Sequence, residues 1–199
     1  KEITSLLTTL DATAVTATSA ILNGTADLSD VGVAYKTIEY GFYWGTSESD
    51  QSTKLSGGNI TENTYSASLT NLSHKTQYWY KAYVNLDSQS FYGKVNSFTT
   101  DVVPVESVSL DNTEYTFHTI GNTLTLTATV LPADATDKNI EWSSDNDNVA
   151  TIDSNGIVTA KGNGKAIIMV KTKDQGKTAT CEVTVSQWVT SMGLNQTES

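Results

Sequence analysis

The stretch EWSSDNDNVATIDSNGIVTAKGNG, residues 141–164, decides how the rest of the chain is read. It holds a Trp in a strand-like lead-in, a polar turn, a short apolar strand (149–152), an Asn-Gly turn, a second short strand (157–160) and a Gly-rich exit. Asn155-Gly156 carries the physical signal, because a tight reversal between two strands needs positive φ at its centre and Asn followed by Gly tolerates it best. Two strands so short bury little by themselves. The flanking segments must supply the sheets that cover them.

Composition narrows the function classes. The chain has 199 residues, enough for one large domain or two ordinary ones with cores of their own. The formal charge is −10, from 22 acids against 12 bases, and every base is Lys. Without guanidinium forks, and with this negative field, nucleic acid is not expected as a partner and anionic lipid is disfavoured. No run reaches the apolar length of a membrane span, so direct membrane insertion is not expected. The one cysteine, Cys181, leaves no internal disulfide to form. The apolar opening at Lys1 reads as a mature or trimmed start.

Residues 1–100 give strand signals at regular spacing: 14–18, 20–28, 37–44, 65–69, 77–85 and 91–99, with SESDQS (47–52) and SGGN (56–59) as loops. Two strands alternate legibly. Ile38, Tyr40, Phe42 and Trp44 share one face, as do Tyr78, Tyr80, Ala82 and Val84, and these are the expected core faces. The opposite parity carries Tyr43, Trp79, Lys81 and Tyr83. Leu72, Thr76 and Tyr78 fall at the spacing of the corner before the sixth strand of fibronectin type III domains. With LNGT (22–25), YGFYWGTS (40–47) and SFTT (97–100), residues 12–100 resemble that family as it occurs in bacterial surface proteins. The resemblance implies a β-sandwich whose corner Tyr hydroxyl ties back to the upstream backbone. Aliphatic Ile21 and Leu22 stand where the family has a Trp, and His74 where Pro is common.

DVVP (101–104) reads as a short connector with little slack, restricting bending between two domains. Beyond it, 123–130 is expected as one period-two strand with Leu124, Leu126, Ala128 and Val130 inward. Residues 178–185 form another, with Ala179, Cys181, Val183 and Val185 inward. Segment 164–173 lies between, joined to the last strand by the turn DQGK (174–177). VESVSLDNTEYTF (105–117), TIGNTLTLTATVLPADAT (119–136) and the run from Ile140 to Val170 resemble the bacterial immunoglobulin-like domain of group 2 over its whole length. The resemblance implies an adhesin or a spacer module of a surface protein, with no family-wide catalytic or metal residues. VESVSLDNTE (105–114) and VTSMGLNQTE (189–198) align without gaps, so 187–199 is expected to begin a truncated third module.

The expected fold is therefore all-β: two tandem immunoglobulin-like/fibronectin-like β-sandwich domains, 1–100 and 105–186. Reactive chemistry has little to draw on. His74 and His118 read as surface histidines, and GNGK (162–165) as a turn or bulge lacking the helix a phosphate cradle needs. Asp145, Asp147 and Asp153 could offer oxygens to Ca²⁺, but the Gly and Glu positions of an EF-hand loop are not met and Asp also simply favours turns. Cys181 reads as a core filler, Trp142 as the buried Trp of the third strand, and Trp188 as a junction residue between modules. No cofactor is expected. The one candidate ligand face is aromatic, Tyr43, Trp79 and Tyr83 with Lys81 between them, able to stack on sugar rings or anchor a partner. These residues could equally be covered by a loop or a neighbouring module. The expected role is a non-enzymatic adhesion or display protein of the bacterial surface, anchored to the outer membrane in its full length, binding neighbouring modules and a glycan or host surface protein. The alternative is the spacer region of a glycan-capture lipoprotein or a polysaccharide-degrading enzyme.

Overall fold

A computed structural model describes residues 7–29 and 36–187. The chain divides into two compact units, residues 1–102 and 103–199. Among the described residues every regular element is a β-strand. The fold class is the expected one, all-β, with two successive sandwiches. The candidate third module begins at 187 and its remaining residues lie outside the described ones, as does Trp188.

The first unit contains β1 (Leu7–Thr13), β2 (Ala20–Ala26), β3 (Ile38–Gly45), β4 (Thr53–Ser56), β5 (Thr64–Leu69), β6 (Gln77–Leu86), β7 (Gln89–Tyr92) and β8 (Asn96–Thr99). One sheet runs β1-β2-β5. The other runs β4-β3-β6-β7, with β8 also paired to β6, and all pairings are antiparallel. β2 shows why these residues make a strand: Ala20, Leu22, Gly24 and Ala26 are buried and the residues between them are half-exposed, a strict period of two. Leu22 meets Phe42, Tyr80, Val84 and Leu86 in a core from which water is excluded. The corner is as the resemblance implies: the Ser73 amide donates to Tyr78 Oη at 2.9 Å, and Leu72 is buried beneath it.

Two strand expectations need correction here, and one strand was not anticipated. Residues 14–18 are a turn, because Thr16 Oγ1 accepts the amides of Thr18 and Ser19 and Ala14 takes φ +47°; the strand lies earlier, in β1. Residues 53–55, assigned to no element between the expected loops 47–52 and 56–59, form β4 together with Ser56; its four residues put only Leu55 toward the core, too few to show a period. Residues 91–99 form two strands, since β7 pairs with the end of β6 and β8 with its beginning.

The second unit contains β9 (Ser107–Leu110), β10 (Glu114–Phe117), β11 (Thr123–Thr125), β12 (Ala128–Leu131), β13 (Ile140–Ser144), β14 (Ala150–Ile152), β15 (Ile157–Ala160), β16 (Gly164–Thr172) and β17 (Thr178–Val185). The sheets are β10-β17-β16-β13, β11-β15-β14 and the pair β12-β9. β10 runs parallel to β17, and every other pair is antiparallel. Leu126, Val158, Ile168, Cys181 and Val183 fill the core, with Trp142 half-buried against it. The expected single strand 123–130 is broken at Leu126–Thr127. There the Leu126 amide bonds to the Gly156 carbonyl and the Thr127 amide to the Asp111 carboxylate, so its halves join different sheets while keeping one inward parity.

The Asn-Gly turn also differs from expectation. Only Gly156 has positive φ, +80°; Asn155 does not. The reversal spans Asp153 to Gly156 and is held by Asp153, whose Oδ1 accepts the amides of Asn155 and Ile157, both at 2.9 Å. Glycine is required at 156 for a second reason. A Cβ there would sit 2.5 Å from the Leu126 carbonyl oxygen and 3.1 Å from the Trp142 ring.

Candidate functional site

The candidate face is the outer surface of the sheet β4-β3-β6-β7. Register builds it: Tyr43 stands opposite Lys81 on one side and Lys54 on the other, Gly41 opposite Tyr83, Gly45 opposite Trp79, and Tyr83 opposite Tyr92. Outward parity is kept by Tyr43 and Trp79, which are half-buried. Tyr83 departs from the expectation of an exposed ring, being 0% accessible. Opposite it Gly41 offers no side chain, and the neighbouring groups close over the gap. The Tyr43 ring lies 4.9 Å away at 53°, and Lys54 Nζ sits 5.1 Å above the Tyr83 centroid. Tyr83 is thus the floor of the face and not a surface a ligand could touch.

Two residues absent from the sequence-based candidate set complete the face. Tyr92, 46% exposed, has its ring 6.0 Å from Tyr43, and Lys81 Nζ lies 5.0 Å over it. Glu39 ties the lower edge. It pairs with Lys54 at 2.7 Å, accepts Asn85 Nδ2 at 3.1 Å and takes the Tyr83 hydroxyl at 3.3 Å. These bonds, led by that from Lys54, hold the Glu39 carboxyl below its ordinary range, and Lys54 is raised in turn by Glu39. Burial, then the Glu39 charge, pushes the Tyr83 phenol up. Tyr92 was legible in principle, because Asp87-Ser88 between Leu86 and Gln89 is a short hairpin link that sets Tyr92 against Tyr83. The ring contacts join Tyr43, Tyr83 and Tyr92; Trp79 occupies the same face further along β6, between Gly45 and Ser97. A partly exposed Tyr pair flanked by ammonium groups can stack on a pyranose ring or anchor a protein partner.

The other residues singled out have structural work. Asp153 caps its own turn, and its carboxyl is lowered, chiefly by the Ile157 amide. Asp145 Oδ1 accepts the Ile167 amide at 2.6 Å. Among the described residues no group of three or more His, Cys, Asp or Glu side chains is placed to hold a metal ion. Cys181 is buried, and burial pushes its thiol up. His74 is half-buried at the corner and His118 is exposed.

Two successive β-sandwiches of this topology, each with its own core, define tandem immunoglobulin-like modules. Residues 104–183, within the second unit, match the family model described as bacterial Ig-like domain (group 2). It is similar to the kappa-carrageenase of Pseudoalteromonas carrageenovora, 44% identical over 91 residues, which are 46% of this chain and 23% of that protein. It is similar also to the Ig-like virion protein of Serratia phage KSP90, 40% identical over 91 residues, 45% of this chain and 35% of that one. The chain thus spans about a third or less of the length of these relatives. Among solved structures it is similar to the adhesin InvE of Yersinia pseudotuberculosis, at 16% identity, a TM-score of 0.40, and coverage of 92% of this chain and 59% of that one.

Proposed function

We propose that the chain is a non-catalytic adhesion and display segment of a bacterial extracellular protein, in which rigid sandwiches give reach and the outer face of β3, β6 and β7 meets a glycan. The observation that carries this reading is the face itself: Tyr92 and Tyr43 partly exposed, supported from beneath by the buried Tyr83 and bracketed by Lys54 and Lys81. A ring surface held rigid loses little entropy when a ligand stacks on it. The absence of catalysis is supported by how the polar side chains are used. The carboxylates of Asp111, Asp145 and Asp153 serve backbone amides, and the one thiol is inside the core. A host surface protein is the other partner of suitable chemistry, and full-length anchoring to the outer membrane fits the display role. The test is to present the chain on a non-adherent bacterium and count retention on glycan-coated surfaces. Retention lost in Tyr92→Ala and Trp79→Ala supports the reading; retention unchanged in both removes the face from it.

A second reading has its own observation. The same kind of module lies within a protein named a carrageenase and within a virion protein, so it accompanies unrelated tasks. On that reading the two units space the parts of a polysaccharide-degrading enzyme or a glycan-capture lipoprotein. Substituting an unrelated sandwich pair of equal length would then leave the whole protein's activity intact, whereas the adhesion reading requires activity to fall.

A further inference from the structure

Charge is spread unequally over the candidate face. Its outward positions along β6 are Trp79, Lys81 and Tyr83, and Tyr92 stands level with Tyr83 on β7. Trp79 and Tyr83 are four residues apart on one strand, so the indole and the Tyr92 ring occupy rows about 14 Å apart, with the Lys81 row between them. That separation is wider than a single sugar ring. A ligand that stacks at both levels is a chain laid along β6.

The two ammonium groups differ in what neutralises them. Lys54 pairs with Glu39 at 2.7 Å, and Glu39 also holds Asn85 and the Tyr83 hydroxyl, so that corner of the face is balanced within itself. Lys81 stands opposite Tyr43 in the register, half-buried, with its Nζ 5.0 Å over the Tyr92 ring. Among the described residues it takes part in no ion pair, although the chain has 22 acids for 12 bases. An ammonium resting on a ring face is steadied by the ring and keeps N–H donors for an anion. The net charge of −10 repels polyanions from afar, but beyond about 8 Å that field is screened at physiological salt, and the local charge decides. At the Trp79 end the sign reverses. Gly45 lies opposite Trp79, and the loop that follows it carries the exposed Glu48 and Asp50.

We infer that the ligand of this face is an anion-bearing polysaccharide chain lying along β6, with a carboxylate or sulfate on Lys81 Nζ, one sugar ring on Tyr92 and Tyr43, and another on Trp79. The inference rests on the glycan reading of the face and adds which glycans it takes. The acid group belongs to the Tyr92 end of the bound segment; the ring on Trp79 is uncharged, because carboxylates border that end. Lysine serves either anion, since a single ammonium makes a point contact and imposes no planar fork.

The experiment titrates the whole chain calorimetrically with two matched pairs of polymers: polygalacturonate against its methyl ester, and dextran sulfate against dextran. Each pair shares a backbone and differs in charge, and the two charged members separate carboxylate from sulfate. At least one charged polymer is expected to bind about tenfold more tightly than its uncharged twin, the size of one charge-assisted contact. Lys81→Gln should remove that difference and Lys81→Arg should keep it. Lys161→Gln, which takes the same charge from an exposed site in the second unit, should also keep it. The gap between wild type and Lys81→Gln should close as salt is raised. With oligogalacturonates of increasing length, wild type should gain affinity until both levels are covered, and Trp79→Ala should lose that gain. Unchanged first-unit urea midpoints in the variants tie these effects to binding. If the uncharged twins bind as tightly and Tyr92→Ala and Trp79→Ala weaken both members of a pair, the glycan reading stands and the acidic ligand is overturned. An equal loss in Lys161→Gln and Lys81→Gln also overturns it, since the attraction is then general. If none of the four polymers binds, the glycan reading falls and takes this inference with it.

Discussion

Replacing Tyr78 by Phe tests the corner on which the first sandwich turns. The substitution keeps the ring, and with it the stacking on Phe98 at 5.6 Å and the contact with Trp44 at 5.7 Å. It deletes one acceptor, leaving the Ser73 amide without the oxygen it reaches at 2.9 Å. A hydrogen bond of this kind contributes about 1 kcal/mol net, and an amide left fully buried without a partner would cost up to about 3. Ser73 is itself exposed, so water can reach the orphaned group and the loss should stay near about 1 kcal/mol. With an m-value of about 1–3 kcal/mol per molar urea, the midpoint of the first unit should fall by about 0.3–1 M at unchanged m. Trp44 fluorescence reports the transition, because its ring lies within the same aromatic group. The second unit's transition, followed by Trp142, should stay in place. A first-unit midpoint that does not move refutes the corner bond as a contributor to stability. A changed m would mean that the fold around it had altered.

Other outcomes follow from the same geometry. Trp142→Ala should destabilise the second unit by about 3 kcal/mol, the low end for removing a large aromatic because the ring is only half-buried, as read from its urea midpoint. Gly156→Ala should cost about 1–3 kcal/mol in the same assay, since alanine must take φ +80° and its methyl group meets the Leu126 carbonyl. In the first unit burial raises the phenols of Tyr65, Tyr80 and Tyr83, Tyr80 to about 12. The fold therefore favours their neutral forms; that stability is complete below the ordinary value of about 10 and is lost as pH rises from there through about 12. Tyrosinate absorbance should then rise together with the loss of first-unit structure, and smooth titration of a folded protein would contradict it. Cys181 should resist a thiol reagent in the native protein and react once the second unit unfolds; rapid native labelling would contradict its core placement.

The architecture was legible wherever alternation ran for five or more residues. β3, β6 and β17 show their core faces directly, because one inward set supplies enough apolar positions to mark the period. The breaks were not legible. The strand 123–130 keeps its parity across the switch between sheets, and what divides it is a bond from Asp111, some sixteen residues away in sequence. Asn155-Gly156 signalled the right reversal with the wrong conformation, since the Asp153 side chain completes the turn and leaves Asn155 with ordinary φ. On the candidate face, parity placed Tyr43, Trp79 and Tyr83 outward, yet parity does not measure cover. The absent side chain of Gly41, together with Lys54 and Tyr43, buries Tyr83, and the exposed partner is Tyr92, whose position depends on the hairpin register.

Affinity electrophoresis of the chain through gels containing dissolved polysaccharides, neutral and acidic in turn, tests the ligand face most directly. The account predicts that at least one polysaccharide retards the wild-type chain. Tyr92→Ala and Trp79→Ala should migrate freely while keeping their urea midpoints. A chain that no polysaccharide slows, or variants slowed as much as the wild type, would contradict it.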